Sequence, residues 1–270
     1  MKTRHTITLL WISIPVCVLL RTIQILFTID SSTGFIKQPY RDISILISVV
    51  LFAAAAVMSV LAFSTDNFVQ KKEGQHPILT TTSVLTGGMF IYEMISSFSS
   101  TNDWYDIPLV FLGFFSAIVF AVYGLNQIHP FNFPSFALII PTLYYIIKLI
   151  KLFISTSALA LTTENVFLLF TNSVFLWFAF EFASYENGFG DAKKRAKKIF
   201  ACGVTAIMLG VTTALPKVFL FFANDMQISK GDLSSAILTL TQTLFVLSYI
   251  IINFSPDGFK QKKHVSKHSA

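Results

Sequence analysis

Eight apolar runs, each about 20 residues long and each closed by turn-forming or charged residues, leave this chain little choice of fold. They cover roughly 7–29, 43–63, 78–98, 107–125, 134–154, 165–183, 199–223 and 233–254. About 20 apolar residues in an α-helix cross the ~30 Å hydrocarbon core of a bilayer. A helix satisfies its own backbone polar groups, which lipid cannot do. The chain is 54% hydrophobic, with 29 Phe and only 13% charged residues, where a soluble domain carries about 25% charge. The expected fold is all-α: a polytopic bundle of eight transmembrane helices, forming one transmembrane domain over 1–254. Breakers sit between the runs, among them Gly34, Gly74, Pro77, Asn102, His129, Pro134, Asn187, Gly190 and Gly231.

The N-terminus looks at first like a signal peptide, because Lys2, Arg4 and His5 precede an apolar stretch. No small-residue cleavage site follows, and Arg21 stands where such a site should be neutral. The segment therefore reads as a retained first helix. Cys17 and Cys202 both lie in apolar runs and give neither a disulfide framework nor metal spacing.

Eight crossings put both termini on one side, and the basic residues choose the side. One set of loops holds 13 Lys and Arg: Lys2 and Arg4; Lys71 and Lys72; Lys193, Lys194, Arg195, Lys197 and Lys198; and Lys260, Lys262, Lys263 and Lys267. The other set holds 3: Lys37, Arg41 and Lys230. Both termini are expected in the cytoplasm. The opposite loops are expected to carry the acids Asp30, Asp42, Asp103, Asp106, Glu164, Asp225 and Asp232. Residues 255–270 read as a short basic disordered tail.

Those loops account for 16 of the 20 basic residues. The other four, Arg21, Lys148, Lys151 and Lys217, lie inside apolar runs. With the N-terminus inside, all four and Glu93 fall in the outer part of the outward-running helices. A lone charge at that depth costs several kcal/mol unless it pairs, snorkels or faces water. Lys151 is near enough to its helix end to snorkel. The expected site is an outer-half cluster built around Glu93, with Arg21 beside it and Lys148 or Lys217 next. Gln24 shares a helix face with Arg21, and Tyr144 shares one with Lys148. One carboxylate against four cations leaves a positive surplus, which motivates a wet vestibule or an anionic guest. Candidate ligand-binding residues are thus Arg21, Gln24, Glu93, Tyr144, Lys148 and Lys217. Polar groups in the run "TLTQT" at 239–243 and Asn172 add to the same level. Pro15, Pro141 and Pro216 precede three of the charges and are expected to kink their helices. The spacing from Arg21 to Glu93 and from Lys148 to Lys217 hints at four-plus-four halves.

All five His lie outside the apolar runs, so a His-x-x-x-His metalloprotease site is excluded. No catalytic motif, metal set or cofactor signature is present, and no nucleic-acid motif accompanies the basic charge. The expected partners are the bilayer, anionic lipid at the cytoplasmic basic loops, and a protein docked at the basic stretch 193–198 (Lys193, Lys194, Arg195, Lys197 and Lys198). The overall composition resembles small polytopic proteins of Gram-positive bacteria, which implies a plasma membrane. Three functions are compatible: a permease-like or ligand-binding protein with an outward cationic pocket for an anionic solute or lipid headgroup; an accessory subunit of a larger complex; and a lipid-acting enzyme using Glu93 or Glu181.

Overall fold

The computed structural model describes residues 3–30, 35–65, 76–98, 106–129, 133–158, 163–223 and 230–254. The tail at 255–270 lies outside them, as do Lys2, Lys71, Lys72, Asp103 and Asp225 of the charge count. The described residues form eight long α-helices: α1 (Thr3–Thr28), α2 (Arg41–Phe63), α3 (Pro77–Phe98), α4 (Asp106–Asn126), α5 (Ile139–Ala158), α6 (Thr163–Glu186), α7 (Ala192–Phe222) and α8 (Lys230–Phe254). All eight are long and apolar enough to cross a membrane. The protein is an all-α, eight-helix membrane-embedded bundle. Large side chains such as Ile12, Leu46, Val60 and Phe111 are exposed, as a lipid-facing surface requires.

Helices α3, α4, α5, α6, α7 and α8 close a ring in which each packs on the next and α8 returns to α3. The hairpin of α1 and α2 leans on α7 from outside this ring. The packing thus divides two and six. α7 is the hub: 89% of its most apolar stretch is buried, against 28% for α1 and 22% for α2. Its small residues explain the close fit. A Cβ on Gly203 would lie 2.8 Å from Ile250, and one on Gly210 would lie 2.2 Å from the Thr243 hydroxyl, so α7 and α8 touch where side chains are missing.

The ring interior is filled mainly by aromatic rings. Phe120 meets Phe245 at 5.1 Å, Tyr123 meets Phe182 at 5.2 Å, and Phe182 meets Tyr249 at 5.1 Å, all edge-to-face. This geometry suits the ring quadrupole.

Of the boundaries that differ from the sequence reading, three bear on the charges and prolines. α6 begins at Thr163, which brings Glu164 into its first turn. α7 begins at Ala192, capped by Asp191, whose carboxylate accepts from the Lys193 amide at 3.0 Å. The basic stretch is therefore helical. The helix of α5 starts at Ile139, so Pro141 sits in its first turn, where its missing N–H breaks no intrahelical bond. Among the described residues, Pro15 and Pro216 are the prolines beyond the first turn of a helix.

Candidate functional site

The intramembrane charges form two separate groups. In the first, Arg21 of α1 is wholly buried. Its guanidinium gives one Nη to Glu164 at 2.5 Å and the other to Gln24 at 2.6 Å. The plane stacks on Phe167, 3.8 Å from the ring centre, a cation–π contact strengthened by desolvation. Gln24 in turn donates to the Ser44 carbonyl and the Ser48 hydroxyl, both at 2.8 Å, tying α1 to α2. The other oxygen of Glu164 lies 2.6 Å from Lys217. One carboxylate on α6 thus holds cations from α1 and α7.

In the second group, Glu93 accepts from Lys148 at 2.9 Å and from the Tyr144 hydroxyl at 2.7 Å. This binds α3 to α5. Lys151 pairs with Asp106 of α4 at 2.7 Å. The expected pairing of Arg21 with Glu93 is replaced by Arg21 with Glu164. The two acids that balance the cations, Glu164 and Asp106, had been placed in loops. They stand instead in the first turns of α6 and α4. The even-numbered helices α4 and α6 therefore do carry charge at this level, and among the described residues three carboxylates face four cations. A fourth, Asp232, lies at the mouth of a nearby cleft. The large positive surplus expected from sequence is absent.

Glu93→Gln should lower stability by about 1–3 kcal/mol, the cost of disrupting a buried charged hydrogen bond. The Tyr144 bond survives in Gln. Lys151→Met should cost under about 1 kcal/mol, because the Lys151 side chain is 38% exposed and such pairs contribute little. Thermal unfolding in a mild detergent checks the order of the two.

The groups approach each other at α8. Ser235 lies 3.5 Å from Lys148 on one side. On the other it lines a cleft with Thr213, Lys217, Asp232 and Thr239. The cleft holds about 30 Å³, room for one or two waters. Just below it, Thr171 and Thr213 hydrogen-bond at 2.9 Å. Of the six candidate residues, Arg21, Gln24 and Lys217 come together in the first group, and Glu93, Tyr144 and Lys148 in the second. Only Lys217 lines the cleft itself. Ser235 was missed; the polar run at 239–243, one turn further on, was the available signal.

A third group sits at the opposite end. Glu181 accepts from Arg195 at 2.9 Å, with Lys198 at 3.8 Å. Glu186 accepts from the Tyr249 hydroxyl at 2.9 Å. Glu181 is buried, because the helical start of α7 carries Arg195 over it.

These features define a class, a polytopic helical membrane protein with charge-paired seams around a small polar cleft. No protein-family model, curated protein or solved structure matches the chain.

Proposed function

We propose that this is a permease-like, ligand-binding protein of a cell membrane, and that its outer cleft takes a small anionic group, either a free solute or a lipid headgroup. The observation that carries this reading is the approach of Lys148 and Lys217 to Ser235 from two sides. An ammonium has three donors, more than the one carboxylate oxygen of Glu164 beside Lys217 uses. The Ser235 hydroxyl, which accepts from Lys148, adds a neutral donor, while the Thr239 hydroxyl donates to the Ser235 carbonyl and lines the cleft beside it. The cleft is too small for a solute of several heavy atoms, so binding requires α8 to move against α6 and α7.

The test uses purified protein with inorganic phosphate or acetate, and separately nanodiscs of phosphatidylglycerol or phosphatidylcholine. A ligand that binds only the folded state raises Tm by mass action. A rise with free phosphate or acetate identifies a solute, and a rise only in phosphatidylglycerol identifies a headgroup. Lys217→Gln should remove the rise while leaving Arg21 and Glu164 a neutral pair. No rise with any of these ligands, or an unchanged rise in Lys217→Gln, overturns the reading.

A second reading, an accessory subunit, is favoured by one observation. Lys193, Lys194 and Lys198 project exposed from a capped helix anchored by Arg195, rather than from a loose loop. Such a fixed basic face suits an acidic protein partner, and equally an anionic lipid surface. A single species after extraction in several mild detergents counts against it. Glu93 and Glu181, the carboxylates a lipid-acting enzyme would use, are both held in ion pairs, and no observation favours that reading.

A further inference from the structure

The face of α8 that looks into the ring can be found by elimination. Its seam with α7 carries Thr243, Val246 and Ile250, the side chains that meet Gly203 and Gly210. Its seam with α3 carries Ser234, bonded to Ser96 at 2.8 Å, and the Thr241 carbonyl, which accepts from Thr86 at 3.1 Å. Leu244 is exposed toward lipid. The remaining sector repeats every seven residues as Ser235, Gln242 and Tyr249, and it is polar at every step.

Both ends of that sector have known neighbours. Ser235 reaches Lys148 of α5. Tyr249 packs on Phe178 and Phe182 of α6 and donates to Glu186. Gln242 lies two turns from each, about 10 Å at 1.5 Å per residue, so it points into the same interior. It is 5% exposed. Its Nε2 has no hydrogen-bond partner among the described residues. A buried amide donor without an acceptor costs free energy comparable to a lost hydrogen bond, and such groups call for an explanation. One turn further in, Phe245 packs against Phe120 and Phe182 and closes the interior. A Leu at 242 would fill this place without that cost.

We infer that Gln242 is a ligand-contact residue at mid-depth: its Nε2 donates to the acceptor oxygen of the small anion admitted past Ser235 and Thr239, above a floor made by Phe120, Phe182 and Phe245. This rests on the reading of the outer cleft and extends it by two helical turns. The ligand is bound between Lys217, which shares the cleft wall with Asp232, and one neutral amide at the base. The amide recognises an oxygen and adds no charge to the middle of the membrane.

Cysteine accessibility tests the inference. In a background with Cys17→Ala and Cys202→Ala, single variants Ser235→Cys, Gln242→Cys and Leu244→Cys are treated with an anionic and a cationic methanethiosulfonate of similar size. Only a thiol in contact with water ionises and reacts, so Ser235→Cys and Gln242→Cys should react at least about tenfold faster than Leu244→Cys. The anionic reagent should outpace the cationic one at both, because Lys148 and Lys217 flank the way in. Reaction at Ser235→Cys without reaction at Gln242→Cys overturns the inference and leaves the outer cleft standing. No reaction at either removes both. Should Gln242→Cys fail to fold, Gln242→Leu provides the same decision. Its Tm without ligand should equal or exceed wild type, and the phosphate-dependent rise should disappear; a rise that persists overturns the inference.

Discussion

Glu164→Gln should be the most damaging isosteric change in the protein, lowering stability by about 3–5 kcal/mol, the usual cost of removing one partner from a buried ion pair. The substitution keeps the shape and removes the charge that Arg21 and Lys217 share. Lys217 can turn toward the cleft. Arg21 cannot, because its guanidinium is 0% exposed and lies flat on Phe167. Arg21→Met should therefore cost less in the Glu164→Gln background than in wild type, and a double-mutant cycle in detergent measures the difference. Arg21→Met combined with Glu93→Gln should instead be additive within about 0.5 kcal/mol, since those residues share no partner. Strict additivity between Arg21 and Glu164 would contradict the pairing.

Gly87→Val should cost about 1–3 kcal/mol, the range for overpacking a tight contact, while Gly88→Val should stay within about 0.5 kcal/mol. The two glycines are neighbours with opposite surroundings. A Cβ on Gly87 would lie 2.8 Å from the Ala117 carbonyl oxygen and 3.4 Å from the Ala121 amide, both backbone atoms of α4. Backbone cannot swing aside, so α3 and α4 would have to part. A Cβ on Gly88 would meet nothing within 4 Å. The comparison controls for the loss of glycine from the same helix turn, and thermal unfolding of the two variants reads it. Equal losses would mean that the α3–α4 contact is not what Gly87 serves.

The helices were legible because lipid imposes a length and an apolar composition on each, and all eight runs became helices with ends shifted by up to seven residues, the largest shift being at the start of α7. The shifts matter most where charge sits at an end. Glu164 looked like a loop acid because apolar periodicity resumes only after it, yet it occupies the first turn of α6. An acid there is favoured by the exposed N–H groups of a helix start. Arg195 was hidden in the same way by a helix that starts at Ala192 rather than 199. Depth alone suggested that Glu93 and Arg21 would meet. Depth says nothing of position around the bundle, and α1 lies outside the ring that contains α3. The pairings of Glu93 with Tyr144 and Lys148, and of Arg21 with Glu164, depend on which helices are neighbours, which one sequence does not record. Gln242 was visible as a residue, but its missing partner is visible only in the packed interior.

Arg21 and Glu164 are 143 residues apart in the chain. A ribosome adding about 5–20 residues per second needs roughly 7–30 s to cover that distance. During this interval the first hairpin is already made, with an arginine whose acid does not yet exist. The nascent protein must shelter that charge at the translocon, at a chaperone or by keeping α1 near the interface. The hairpin settles only when the sixth and seventh helices arrive. The ion pair that fixes α1 against the bundle thus closes only after α6 has been made.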